Sequence, residues 1–335
     1  MELIRRSPVL AQDRARQVLA GLWVFDGLLQ LQPAMFTRSF TDDLRLNVMA
    51  QPGWLVRDIS SVVRFLAPHI ALWNVGFVVV EVALGLGIAW RRTAKGALVA
   101  SFVWAAGVWV IGEGMGGVLT GFASIAFGAP GPVLLYVLVG MLVWPSTQAP
   151  GATLASSGLL GERGARWAWA LLWCGVAYLQ VRPVRYLPLS YRLYANFQET
   201  SLGEPGWLAH LDLTLGRLAH RWGAGVSLAL GAIAVLIGVG VLVGVWSRAL
   251  LWLSIAMSAL FWVVAQNFGA LLTLRANDPQ AAPIFVLLAA CLFPHPPGVS
   301  RSSARAGAGP GALMSSGPPL RTPNEPAPSS SRRRS

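Results

Sequence analysis

A chain of 335 residues that is 55% hydrophobic and only 12% charged is not an ordinary soluble domain, which carries about twice that charged fraction. Its mean hydropathy of +0.56 is more than a core of this size can hide, whereas a bilayer can solvate the excess. The net charge of +12 does not mark a nucleic-acid binder, because Lys and Arg sit between apolar runs or in the C-terminal tail and not along one face.

Apolar runs fall at about 16–33, 68–90, 96–118, 130–145, 166–183, 222–246, 248–272 and 280–294. They predict an all-α polytopic membrane protein with about eight transmembrane helices, since backbone groups in lipid must find partners within their own segment. The fourth and eighth runs are short, and are expected to be tilted or partly interfacial. Residues 1–15 precede the first span. Arg5, Arg6, Arg14 and Arg16 resemble the start of a signal peptide, but Gln30-Leu31-Gln32-Pro33 offers no small-residue cleavage site, so the first helix is read as retained. A linker covers 146–165. Residues 295–335, rich in Pro, Ser, Gly and Arg, read as a disordered basic tail whose Arg332, Arg333 and Arg334 either touch anionic lipid or are merely solvated.

Arg91, Arg92 and Lys95, then Arg163 and Arg166, then Arg248, occupy alternate short connections, while the connection 118–130 has no charge. The positive-inside rule therefore puts the N-terminus, the linker and the tail in the cytoplasm of a multi-pass cell-membrane protein. Arg57, Arg185 and Arg192, in the long outer segments, run against this bias without reversing it.

The chain also repeats. Leu22-Trp23, Gln30 and Pro33 recur as Leu172-Trp173, Gln180 and Pro183; Pro52-Gly53-Trp54-Leu55 recurs as Pro205-Gly206-Trp207-Leu208. Trp109, Gly116, Thr120 and Pro130 recur as Trp262, Gly269, Thr273 and Pro283. Units of four helices each, 16–145 and 166–294, are even-numbered and hence expected as two parallel repeats. In each, an amphipathic outer helix follows the first span. In 54–66, Trp54, Leu55, Ile59, Val62, Val63 and Leu66 oppose Arg57, Asp58, Ser61 and Arg64. In 207–221, Trp207, Leu208, Leu211, Leu215 and Leu218 oppose His210, Asp212, Thr214, Arg217 and Arg221. Such a helix either lies on the membrane surface or packs on the bundle as a lid.

Three acids fall within spans: Asp26, Glu81 and Glu113. A carboxylate in hydrocarbon is costly, so each is a candidate for ligand binding or proton relay. Counting about 1.5 Å per residue sets Asp26 and Glu81 at similar depth near the midplane, with Glu113 above them. Their counterparts in the second unit are Val176, Ala234 and Gln266, so the acids belong to one unit only. The alternative is structural, with carboxyls bonded between helices. Asn74 and Gln30 join the candidate set; Asn74, Gln266 and Asn267 have interhelical hydrogen bonding as their default role, and Gln30 and Gln180 precede prolines at helix ends. In Gly112-Glu113-Gly114-Met115-Gly116-Gly117, Gly112 and Gly116 fit small-residue helix packing; the same glycines weaken the helix beside Glu113.

Cys174 and Cys291 lie in apolar runs and read as small hydrophobes. His69, His210, His220 and His295 make no metal-binding spacing, and no metal site is expected. The tryptophans at span boundaries, such as Trp54, Trp90, Trp144 and Trp246, form an aromatic belt.

The Leu-Trp first helix with its Gln and Pro, the four-helix unit and the Gly-rich end of the third helix resemble the DoxX-like membrane proteins, with Gly21 to Pro145 as one unit and Arg166 to Pro294 as a second, degenerate copy. That resemblance implies a membrane subunit of a redox or respiratory assembly, a redox-protein partner and quinone as the candidate cofactor, placed among Asp26, Glu81 and Glu113. A proton-coupled transporter or exporter of a small solute is the alternative, against which counts the absence of any visibly broken helix in the second unit. A scaffold without chemistry is the third.

Overall fold

The computed structural model describes residues 8–146, 153–183 and 187–294; among them every regular element is helical, with one isolated antiparallel bridge between Leu154 and Pro294. Arg5, Arg6, Arg185, His295 and the tail with Arg332 to Arg334 lie outside the described residues. The first half runs α1 (Pro8–Leu29), α2 (Arg38–Leu46), α3 (Gly53–Leu66), α4 (Ile70–Ala89), α5 (Ala94–Gly107) and α6 (Pro132–Leu142). The second runs α7 (Gly161–Val181), α8 (Leu189–Thr200), α9 (Gly206–Arg221), α10 (Ala224–Val243), α11 (Ser247–Val264) and α12 (Ala281–Leu292).

Four stretches, Gly53–Ala89, Ala94–Gly112, Ala224–Val243 and Ser247–Thr273, are long and apolar enough to cross a membrane. Their outer faces expose Leu72, Val79, Val103, Val243, Trp252 and Leu260. Water would not tolerate so large an apolar surface, and lipid covers it at no cost. This is a membrane protein. Helices α1 and α7 reach 22 and 21 residues but carry charged groups in their N-terminal turns, Asp13, Arg14 and Arg16 in one, Glu162, Arg163 and Arg166 in the other.

Two helices are too short to cross. At 11 and 12 residues, α6 and α12 span about 16–18 Å against about 30 Å of hydrocarbon. Both are apolar all round and correspondingly buried: Leu135, Tyr136, Val139 and Leu142 on α6, Ile284, Phe285, Leu288 and Cys291 on α12. They pack against each other, and the longer helices surround them. The residues between the halves brace this pair. Ala155 and Ser156 donate backbone N–H to Phe293 and Cys291 carbonyls, and Ser156 Oγ donates to the Leu142 carbonyl at 2.6 Å. Part of the linker expected at 146–165 is helical, since α7 begins at Gly161.

Buried arginines seal two helix ends. Arg16 donates to the Ile88 and Ala89 carbonyls at the end of α4. Arg192, fully buried on α8, donates to the carbonyls of Leu179, Gln180 and Arg182 at the end of α7. Carbonyls left over at a helix C-terminus carry partial negative charge, so a guanidinium is a fitting partner.

The structure departs from the sequence reading at four places. Each outer segment holds two helices, not one, α2 with α3 and α8 with α9. On α3, Leu55, Ile59, Val63 and Leu66 are buried as expected, but Trp54 is exposed. On α9 the buried stripe is Leu208, Asp212, Gly216 and Ala219, while Trp207 and Leu218 face out. Asp212 can turn inward because Asn267 Nδ2 donates to it at 2.7 Å, answering its charge. Lastly, the seventh span does not run unbroken to 272: α11 ends at Val264, and Asn267, Phe268, Gly269 and Ala270 are all left-handed, with φ between 48° and 74°.

Candidate functional site

Helix α5 passes through a widened turn at Val108–Gly112 and stops at Glu113. Gly114, Met115, Gly116 and Gly117 then take φ of 51°, 57°, 59° and 66°, a conformation that costs L-residues and that glycine adopts freely. Gly112 and Gly116 therefore share no helix, which corrects their reading as helix-packing residues. The Gly112 carbonyl accepts from Asn47 Nδ2 at 2.6 Å, and a Cβ at Gly116 would collide with the Pro130 carbonyl. Close helix packing uses other glycines, such as Gly85 of α4, where a Cβ would lie 2.6 Å from the Ala20 carbonyl oxygen of α1.

The break sets Glu113 over the start of α6, where its Oε1 accepts the Val133 N–H at 2.9 Å and Trp109 Nε1 donates to the Pro130 carbonyl at 2.8 Å. The second half does the same with other residues. Gln266 Oε1 accepts the Ala282 N–H at 3.0 Å, and Trp262 Nε1 donates to the Pro279 carbonyl at 2.9 Å. Pro279, not Pro283, thus answers to Pro130, because the connection to the last helix is four residues shorter.

Beside Glu113 opens a cavity of about 450 Å³ walled by both halves. The first half supplies Asn47, Gln51, Glu113, Thr120 and Ser124, and the second supplies Asn196, Glu199, Asp278 and Gln280, with Met49, Val108 and Phe127 among the apolar lining. Among the described residues, no Lys, Arg or His joins that lining. Two amides spend their donors on the wall: Asn47 as above, and Gln51 Nε2 on the Gly114 carbonyl at 2.7 Å. Asn196 Nδ2 likewise donates to the Phe122 carbonyl at 3.0 Å. Left without partners are acceptors or hydroxyls: Glu113 Oε2, Gln51 Oε1 and the buried Ser124 Oγ. Asp278 sits in the loop before α12. Burial pushes its pKa up to about 6, against the Gln280 N–H, which donates to its Oδ1 at 2.5 Å and favours the charged form.

Asp26 and Glu81 do not line this cavity; they lie inward of it in the apolar interior of the first half. Asp26 is close enough to Glu81, Glu113 and Asp278 to feel their charge, and the Tyr136 hydroxyl stands beside it. The Trp104 indole stands beside Glu81. Asp26 with Tyr136 and Glu81 with Trp104 thus form two interior polar pairs. Asn74 and Gln30 stand apart in role: Asn74 Nδ2 donates to the Gln30 carbonyl at 2.7 Å, a brace between α4 and the end of α1.

Matching contacts in the second half are apolar. Trp23 packs edge-on against Tyr136 with ring centres 4.8 Å apart, and Trp173 packs against Phe285 at 5.6 Å. Val176 and Phe285 thus stand where Asp26 and Tyr136 stand. Sequence reasoning missed Tyr136 and Asp278. The signal for Tyr136 was available, as the one hydroxyl-bearing residue in the otherwise apolar run 130–145.

The chain matches no protein-family model, no curated protein and no solved structure.

Proposed function

We propose that this is a multi-pass membrane protein that binds a small polar solute in the Glu113–Asp278 cavity and couples it to protons held by Asp26, Tyr136 and Glu81. The observation that carries this reading is the contrast between Glu113 and Gln266. An amide suffices to hold the last helix in the second half, so the carboxylate at Glu113 answers to something other than the fold. The wall, rich in amides, hydroxyls and carboxyls, suits a polar solute, and its placement between two halves with broken helices suits transport or export.

In the same reading the chain comprises two parallel repeats, α1–α6 and α7–α12, supported by the paired Trp–Pro and carboxyl–amide bonds. The repeats give eight membrane segments, of which α6 and α12 are short central ones. Both termini face the cytoplasm of a cell membrane, and the cavity, at the end of α5 remote from Arg91, Arg92 and Lys95, faces outward. Reconstituted protein containing an internal pH dye tests the coupling. Addition of polar solutes moves protons in the wild type, and Asp26→Asn or Glu81→Gln abolishes the movement. A wild type that moves protons with none of them rejects the reading.

A second reading, a DoxX-like membrane subunit of a redox assembly with a quinone, is favoured by Asp26 and Tyr136 standing together in the apolar interior beside Trp23. A headgroup there would exchange hydrogen bonds with both. Protein purified from its native membrane then carries quinone, and loses it in Asp26→Asn.

A further inference from the structure

We infer that the cavity selects a small organic cation bearing ammonium N–H groups, held between Glu113 and Asp278 with Ser124 and Gln51 as further acceptors. This rests on the solute-cavity reading above and names the class of solute.

Three observations converge on it. First, the buried side-chain atoms of the wall that lack a partner are acceptors or a hydroxyl. The side-chain amide donors of Asn47, Gln51 and Asn196 are committed to backbone carbonyls, which leaves Gln51 Oε1 and Glu113 Oε2 facing a guest as acceptors. A guest that answers these atoms must bring donors. Second, Ser124 is 1% exposed and lines the cavity with a hydroxyl that has no partner. A buried hydroxyl left unsatisfied is costly, and an ammonium hydrogen answers it as readily as it answers the carboxylates. Third, the charge is one-sided. Glu113, Asp278 and Glu199 stand in the lining and, among the described residues, no Lys, Arg or His there offsets them. An anionic guest would be repelled from such a wall, whereas a cation lets both neighbouring carboxyl groups ionise.

Size separates an organic cation from a bare metal ion. About 450 Å³ is the room of a small organic molecule, and no cluster of three His, Cys, Asp or Glu that could hold a metal ion occurs among the described residues. Met49, Val108 and Phe127 give a short carbon chain its contacts while the ammonium end meets the acids.

Calorimetric titration of the full chain in lipid nanodiscs tests this with n-butylammonium, 1,4-diammoniobutane, 1,4-butanediol and butyrate as probes. The expected order is ammonium probes binding at least tenfold tighter than the diol, with butyrate silent. Glu113→Gln and Asp278→Asn each weaken the ammonium probes tenfold or more, and Ser124→Ala weakens them several-fold. To guard against misfolding, each variant is required to unfold no earlier than the wild type in the same nanodiscs. Diol and ammonium binding equally would overturn the cation assignment while sparing the polar-solute reading. Binding of none of the probes overturns both, and ammonium binding that survives both acid substitutions moves the site elsewhere and overturns the inference.

Discussion

Glu113 and Gln266 hold their neighbours by the same bond: one Oε1 accepts the N–H of the second residue of α6, the other that of the second residue of α12, at 2.9 and 3.0 Å. The geometry is shared and the charge is not. Glu113→Gln is therefore expected to keep the fold, with stability within about 1 kcal/mol of wild type, and to lose the response to solute. Gln266→Leu removes both the bond to Ala282 and the donation to the Ala126 carbonyl, and should cost about 2 kcal/mol. Denaturation midpoints of the two variants, measured in one detergent, give the comparison. A Glu113→Gln protein that unfolds as early as Gln266→Leu would make the carboxylate structural after all.

Asp278 gives a pH dependence with a definite sign. Its pKa is about 6 in the fold against an ordinary 3.8, so the folded state prefers the protonated acid. Its contribution to stability is complete below about pH 4 and is lost as pH rises through about 6, a swing of at most about 3 kcal/mol. Asp278→Asn should raise the unfolding midpoint at pH 8 and leave it unchanged at pH 4. Equal shifts at both values would count against the burial argument.

Gly116 and Gly112 should part company under mutation. At Gly116 a methyl group meets the Pro130 carbonyl, and φ is +59°, so Gly116→Ala combines a clash with about 1–2 kcal/mol of backbone strain. Gly112→Ala meets only Val108 Cγ1 at 3.2 Å, a side-chain atom that can yield. The first variant should express poorly or unfold early, and the second should resemble wild type. Folded yield after purification reads the difference.

Arg192 commits its guanidinium to three backbone carbonyls. Arg192→Met leaves those carbonyls buried and unanswered, and a loss of about 3 kcal/mol or more is expected. Arg192→Lys restores the charge without the planar fork that reaches several carbonyls, and should recover only part of it. Full recovery by lysine would show that charge alone matters there.

Much of this was written plainly in the chain. Runs of apolar residues announced the long helices, and the glycines around Glu113 marked a weak place in the third span, although the sequence did not tell a break there from close packing. Asp26, Glu81 and Glu113 stood out because acids are rare in such runs. What stayed hidden depended on tertiary contacts. Asp278 sits in a loop of Asn, Asp, Pro and Gln that reads as surface, and only the fold carries it into the cavity wall. The break after α11 has a single glycine among Asn267 to Ala270, too little to foresee a left-handed stretch. Helices α2 and α8 are short and charged, and the burial of Phe40 and Leu44 in one and of Leu193 and Phe197 in the other comes from what they pack upon. Asp212 looked like part of a wet face until Asn267 supplied its partner.

The brevity of α6 and α12 has a consequence for how the protein is made. A segment of 11 or 12 residues is too short for the insertion machinery to recognise as a span by its own hydropathy. Each must enter the bilayer sheltered by neighbours already there. Because α6 packs on α12, the innermost layer of the first half stays open until the ribosome has delivered nearly the last of the membrane sequence. Late truncations should therefore unsettle the early helices as much as the late ones, and a nascent chain stopped before Ala281 should remain sensitive to protease throughout.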